Sequence, residues 1–368
     1  LLPEASRLTL HLAAVIGRSL FYRVLEAVAA HGSDLVGQLA NIQRQDLIRE
    51  LTRLPELEYC FRHTLTRDAA YSSILRRQRT QFHRQVGEVM EQLYEAAIRE
   101  HAAELAYHFA EGRDDERAMH YSALAGEEAA RVFANAEAVQ HYRRALALTE
   151  RVNVSSEELT DLYTRLGRVL ELDGQFDRAL ATYEEMENVA HERGDGAMEI
   201  MSLMNRVTVQ AVPSAVHDAS RAQQLGERAL GLARELGDRA AEARVLWGLS
   251  LAYYWGYRGE KAIECGVHSL ALARELDLRE QIAQTLTDLG RFWYMHGGRI
   301  DQGRAALHEA SEIWRDMGNL PMLADSLGSA AASHCFFGEY ERAISVSGEA
   351  LQISESINNS WGQAFSQW

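Results

Sequence analysis

The stretch Tyr253-Tyr254-Trp255-Gly256, with Ala262 six residues beyond the glycine, decides the fold because it comes back. One period later it reads Tyr294-Met295-His296-Gly297 with Gly303, and then Cys335-Phe336-Phe337-Gly338 with Ala343. Gly174 with Ala179 is the same mark two periods before Gly256. The slot between them falls in the turn-like Val212-Pro213-Ser214, ahead of Ala222. Each small anchor sits in an amphipathic stretch that ends in a short break: Arg193-Gly194-Asp195, Leu236-Gly237-Asp238, Leu276-Asp277-Leu278, Met317-Gly318-Asn319 and Ile357-Asn358-Asn359. A period of about 41 residues with two helical stretches per unit is the signature of an α-solenoid of tetratricopeptide-like helix pairs. One pair cannot bury its apolar face alone, so neighbours stack.

Working outward, the spacing predicts first helices over Leu159–Asp173, Ala197–Val212, Arg239–Trp255, Arg279–His296 and Pro321–Phe337. Second helices follow over Gln175–Arg193, Asp218–Leu236, Glu260–Leu276, Ile300–Met317 and Glu339–Ile357. A glycine after a first helix suits the left-handed residue that ends it, where a Cβ is costly. Residues 1–100 lack the period. They read as helices over Leu8–Ala29 broken at Gly17-Arg18-Ser19, a short helix at Leu35–Asn41 followed by Asp46–Leu51, a hairpin around Pro55 with strands confined to about Glu50–His63, and a long helix from Leu65 to Ile98. That pattern predicts a winged-helix-like domain over 1–100. A first helical repeat and connector occupy 101–156, and the solenoid occupies 157–368.

Composition narrows the function. The chain has 368 residues, 47% of them apolar and 25% charged, and a net charge of −15. The charge is uneven, about +1 over the first hundred residues and −16 over the rest. An acidic repeat surface opposes nonspecific nucleic-acid binding. The three cysteines, Cys60, Cys265 and Cys335, form no CxxC pair, which suits a reducing, cytoplasmic setting. The apolar run Leu8–Gly17 is too short to span a membrane. Against 37 arginines there is one lysine, Lys261, and Ala262 follows it. A P-loop needs Gly-x-x-x-x-Gly-Lys-Ser/Thr, so this chain contains no such nucleotide-binding core. Conventional hydrolase, zincin, dinucleotide and EF-hand motifs are also missing from the sequence. His101 and His108, seven apart, do not make a metal pair.

The strings Ala14-Val-Ile-Gly-Arg-Ser-Leu-Phe21, Tyr59-Cys-Phe-Arg-His-Thr-Leu-Thr-Arg-Asp-Ala-Ala-Tyr71 and Leu75-Arg-Arg-Gln-Arg-Thr-Gln-Phe-His-Arg84 carry a resemblance. They are similar to bacterial multidomain signalling proteins that couple an AAA/STAND-type ATPase to tetratricopeptide-like repeats. Such proteins often bear a class III adenylate/guanylate cyclase or a LuxR/MalT-type output domain. Ala106-Tyr-His-Phe-Ala-Glu-Gly112 and Ala134–Leu146 continue the likeness. The resemblance implies that this chain is the winged-helix and repeat region of a larger protein, with ATP or ADP bound by the parent's core and no cofactor in this region. It also implies that His63, at a helix entry after an apolar strand, contacts a nucleotide phosphate. The plainer reading of His63 is a polar residue near a helix start.

Arg76, Arg77, Arg79 and Arg84 form a basic cluster that would dock the ATPase core or an acidic partner; otherwise it is a solvated helix face. Trp247, Tyr253, Tyr254, Trp255, Trp293, Tyr294 and Phe336 gather near the ends of first helices. They would anchor a protein or peptide, or else pack between repeats. Trp361, Phe365 and Trp368 share one face of a last helical segment, which predicts self-association. The reading is a noncatalytic regulatory region with a protein or peptide ligand, and a constitutive scaffold is the alternative.

Overall fold

The computed structural model describes residues 2–29, 34–53, 56–295, 298–357 and 359–367. They form an all-α solenoid with one small sheet, and divide into two compact units, Leu1–Asp173 and Gly174–Trp368.

The first unit opens with α1 (Glu4–Ile16), β1 (Ser19–Phe21), α2 (Tyr22–Val28), α3 (Leu35–Arg44), β2 (Ile48–Thr52) and β3 (Glu58–Phe61). The strands make an antiparallel sheet in the order β1-β3-β2. The expected hairpin is present as β2–β3, with Glu50 opposite Tyr59 and a register shift between Glu50 and Thr52; Pro55 lies outside the described residues. Two expectations are corrected here. Asp46–Leu51 does not continue the helical run, because Asp46 turns left-handed (φ 57°) and the chain enters β2. A third strand, β1, lies well before Glu50. Its Ser19-Leu20-Phe21 is too short to carry a period, and pairing with β3 is what makes it a strand.

The long helix predicted over Leu65–Ile98 is two helices, α4 (Thr64–Ser73) and α5 (Arg76–Leu93). The break falls at Ile74 and Leu75, both extended, and Ile74 is buried in the core. Then come α6 (Ala102–Glu111), α7 (Asp115–Arg131), α8 (Asn135–Leu148) and α9 (Ser156–Leu172). The last begins on a capping box between Ser155 and Glu158.

The second unit alternates α10 (Phe176–Arg193), α11 (Gly196–Ala211), α12 (Ala219–Leu236), α13 (Arg239–Trp255), α14 (Gly259–Glu275), α15 (Arg279–Met295), α16 (Ile300–Asp316), α17 (Leu320–Phe336), α18 (Tyr340–Ser356) and α19 (Ser360–Gln367). The expected helices stand within about two residues of their predicted ends. First helices α11, α13, α15 and α17 touch one another in sequence, as well as their own second helices. The anchors Ala222, Ala262 and Gly303 are buried where helices cross. One apolar core runs through the unit from Ile200 to Ala350, and includes the fully buried Trp314.

Short sequences both stop and start these helices. At Gly194-Asp195, Gly237-Asp238 and Gly318-Asn319 the glycine turns left-handed (φ 65–68°). The next N–H closes back on the preceding helix, Asp195 on Ala190, Asp238 on Ala233 and Asn319 on Trp314. The same Asp or Asn side chain then caps the following helix. Asp277-Leu278 fills the fourth such slot, and Asp277 takes the left-handed conformation (φ 54°) without being glycine. Gly174 and Gly338 are left-handed as expected, but Gly256 is not; Tyr257 (φ 58°) takes that role. Gly256 is needed for closeness, since a Cβ there would meet Gln223 Nε2 at 2.6 Å and the Ala252 carbonyl at 2.9 Å. Gly297 lies outside the described residues.

Candidate functional site

In the first unit His63 is the extended residue at the N-terminus of α4, directly after β3, and it is exposed. Its setting is therefore the one the resemblance implied: strand end, imidazole, helix start. The first N–H groups of a helix have no intrahelical partner, so this end favours an anion. The four arginines divide. Arg76 and Arg77 are exposed and, among the described residues, within 4 Å of no carboxylate. Arg79 stacks over the Tyr71 ring at 5.0 Å. Arg84 pairs with Asp114 at 3.1 Å and Glu88 at 3.7 Å. Two of the cluster are thus spent on packing α5 against its own unit, and two face solvent.

In the second unit the aromatic residues also divide. Tyr253 and Tyr254 are buried. Tyr253 donates its hydroxyl to Glu227 at 2.9 Å, with Lys261 over its ring, and burial pushes its phenol up to about 12. Tyr254 stacks on Phe292 with ring centroids 4.1 Å apart. These two rings belong to the core, because α13 is flanked by helices on nearly every side. Trp247, Trp255 and Trp293 are half-buried, and Phe336 is 65% exposed. The side chain of Tyr294 lies outside the described residues.

Trp247 reaches across the first-helix row. Its indole N–H donates to Asp288 at 2.9 Å. Arg291, one turn on from Asp288, donates to the Ser329 hydroxyl at 2.8 Å and lies 3.9 Å from Asp288 and 3.7 Å from Asp325. Burial pushes both carboxyls above their usual range, and Arg291 opposes the shift in each; the Trp247 indole helps at Asp288. The result is a polar strip of two carboxylates and one guanidinium, linking three first helices. Trp247, Asp288 and Ser329 stand 41 apart. The period that revealed the repeats therefore also placed these residues in one row, but only the structure shows which of them bond.

Two further clusters were not legible in advance. Glu187, His191 and Glu199 place ligand atoms within 4.8 Å of one another. Arg228 bonds both glutamates and lies 3.2 Å from His191 Nε2, while Arg206 bonds Glu187 and Glu184. The positive charge that this cluster calls for comes from the chain itself. The Glu187–His191 spacing was a visible signal; Glu199 and Arg228 come from other helices. In the first unit, His83 and His108 are buried with their Nδ1 atoms 3.0 Å apart, and Tyr71 bonds His83 Nε2 at 2.9 Å. Burial, with His108, Arg67 and Arg79 nearby, lowers His83 to about 3. Burial lowers His108 to about 4 against a hydrogen bond to the Ile16 carbonyl.

No family model matches the chain, and no curated protein matches it in sequence. Solved structures do. RapI in its apo form superposes on 76% of this chain and 99% of its own, with a TM-score of 0.58 at 12% identity. A Rap conjugation gene regulator of plasmid pLS20, in complex with the Phr* peptide, covers 79% of this chain and 88% of its own, with a TM-score of 0.50 at 12% identity. A signal-transduction ATPase with numerous domains and a tetratricopeptide repeat sensor, from Pyrococcus horikoshii, matches 99% of this chain and 59% of its own at 12% identity and a TM-score of 0.48. The helix pairs of the second unit and the two Rap likenesses define the fold as a tetratricopeptide-like helical repeat. No helix among the described residues is long and apolar enough to cross a membrane.

Proposed function

We propose that this chain is a noncatalytic regulatory and protein-interaction region whose first-helix row takes a protein or peptide ligand. The observation that carries this reading is the strip on α13, α15 and α17. Half-buried Trp247 stands in it, bonded to Asp288 beside Arg291 and Asp325, with Trp255 at the end of α13. Aromatic and guanidinium groups at partly covered positions are the usual anchors of an interface. The peptide bound by the pLS20 Rap regulator is a precedent for the ligand class on a similar fold.

The first six elements, α1-β1-α2-α3-β2-β3, support reading residues 1–100 as a winged helix. In a STAND/AAA-type parent that domain would close on the ATPase core through Arg76 and Arg77. His63 and the α4 N-terminus would meet an ADP phosphate there, since both the exposed imidazole and the free N–H groups can donate to it. Ligand on the repeats would shift the parent from closed to open, with a nucleotide cyclase as the output. A LuxR/MalT-type activator is the alternative output, and a constitutive scaffold the alternative role.

The test of the ligand site is a peptide array probed with the labelled chain, followed by titration of the hits. Trp247→Ala and Trp255→Ala should each weaken binding more than tenfold. Equal affinity in both variants removes the first-helix row from the reading. In the intact parent, His63→Ala should speed ADP release; an unchanged rate removes His63.

A further inference from the structure

Helix α4 fully buries Ala70 alone, with Tyr71 half-covered against the core at its far end, so polar bonds carry much of its attachment. Its tethers are polar. Arg67 Nε donates to the Ala14 carbonyl at 3.1 Å, the Ser73 hydroxyl meets His11 Nε2 at 3.1 Å, and the Tyr71 hydroxyl meets His83 Nε2 at 2.9 Å. The third tether is the start of a longer chain of bonds.

The chain's proton positions follow from its geometry. The two Nδ1 atoms lie 3.0 Å apart, so one of them carries the hydrogen and the other is the acceptor of a neutral ring. With the hydrogen on His83 Nδ1, its Nε2 accepts from the Tyr71 hydroxyl; with it on His108 Nδ1, the His83 Nε2–H donates to Tyr71. Either arrangement satisfies all three groups, and the rings are 0% and 2% exposed. The chain ties α4, α5 and α6 together.

We propose that the Tyr71–His83–His108 chain is a proton-sensitive clasp that holds α4 on the first unit and lets it go when both imidazoles take up protons. One added proton can be tolerated if Tyr71 turns its hydrogen away. Two cannot, because both Nδ1 atoms would then be donors 3.0 Å apart. The surroundings add to the penalty. Arg67 on α4 and Arg79 on α5 face His83, and Glu111 on α6 lies toward Tyr71. On α1, His11 is also held below its ordinary value by burial and Arg7, so it adds to the response in the same direction. Once α4 lifts, both rings meet water and recover ordinary basicity near pH 6.5. The open state then gains about tenfold per ring between pH 7.5 and 5.5, or about 100-fold for the pair. The hinge is already built, since Ile74 and Leu75 are extended between α4 and α5. This inference does not depend on the ligand or the nucleotide coupling proposed above.

Hydrogen exchange on the full chain, read by mass spectrometry at pH 7.5 and 5.5, is the test. After correction for the intrinsic pH dependence, protection of amides in 64–73 should fall about 100-fold, while α13 amides keep theirs. His83→Gln retains a donor and an acceptor but binds no proton, and should reduce the response to about tenfold. If that variant does not fold, the wild-type imidazole resonances decide: two rings should show no titration between pH 8 and 5.5. Unchanged protection of α4, an equal loss in α13, or two rings titrating near pH 6.5 in the folded chain would each overturn the clasp.

Discussion

The side chains with the largest consequences are charged or titratable groups held out of water. His83 and His108 are kept neutral in the fold and bind protons once unfolded, so stability present above about pH 6.5 is lost as pH falls toward 4. Each costs about 2 kcal/mol by pH 5, or about 4 kcal/mol for the pair. Denaturation of the first unit at pH 8 and pH 5 measures this. Asp288 has the opposite sign. Its carboxyl is raised by burial, so the cost of its charge grows as pH rises from the ordinary carboxylate value to the folded-state one and is constant above that. Asp288→Asn keeps an acceptor for the Trp247 indole. Its stability relative to the wild type should therefore be more favourable at pH 7 than at pH 4, as read by tryptophan fluorescence. A difference independent of pH would mean that Arg291 fully compensates the carboxylate.

Among the elements, the helix junctions are the informative features. Glycine occupies the left-handed slot after α10, α12 and α16, and Asp277 strains to occupy it after α14. A left-handed non-glycine residue costs about 1–2 kcal/mol, and glycine returns part of that as unfolded-chain entropy. Asp277→Gly should therefore stabilise the second unit by about 1 kcal/mol. At the neighbouring junction, Asp238→Ala removes the cap on Ala241 N–H and should cost about 1 kcal/mol. Both are read from thermal unfolding, and a sign reversal in either would show that the junction is governed by something other than backbone conformation and capping.

For the whole molecule, the division into two units has a convenient readout. All six tryptophans fall after residue 173, so their fluorescence reports the second unit alone, while circular dichroism reports both. The acid loss ascribed to the histidine pair should appear in the dichroism and not in the fluorescence. The second unit also carries an exposed apolar pair on α18. After two earlier anchors the next residue is engaged: Gln223 donates to the Ala252 carbonyl, and Arg304 meets Glu339 and Phe337. The equivalent Ile344 is 73% exposed, with Tyr340 beside it at 64%. Phe365 is accounted for, since its ring lies against Gly328; the side chain of Trp361 and residue Trp368 lie outside the described residues. Self-association is thus expected through Tyr340 and Ile344. Sedimentation of Ile344→Glu should show less of it than wild type, and equal sedimentation would point elsewhere.

The sequence by itself determined the repeat, its period, nearly every helix of the second unit, and the glycine and aspartate junctions. Those features are local: they depend on side-chain spacing along one helix and on backbone conformations that few residues tolerate. It also determined what the chain lacks, since a P-loop must be contiguous. Only tertiary structure decided that β1 is a strand, that α4 and α5 part at Ile74, and that Tyr253 and Tyr254 are core while Trp247 is half-open. It alone brought His83 to His108 and Arg228 to Glu187. Burial and pairing between helices are properties of the stack. A histidine read along the chain has no dielectric, and acquires one only when the helices close around it.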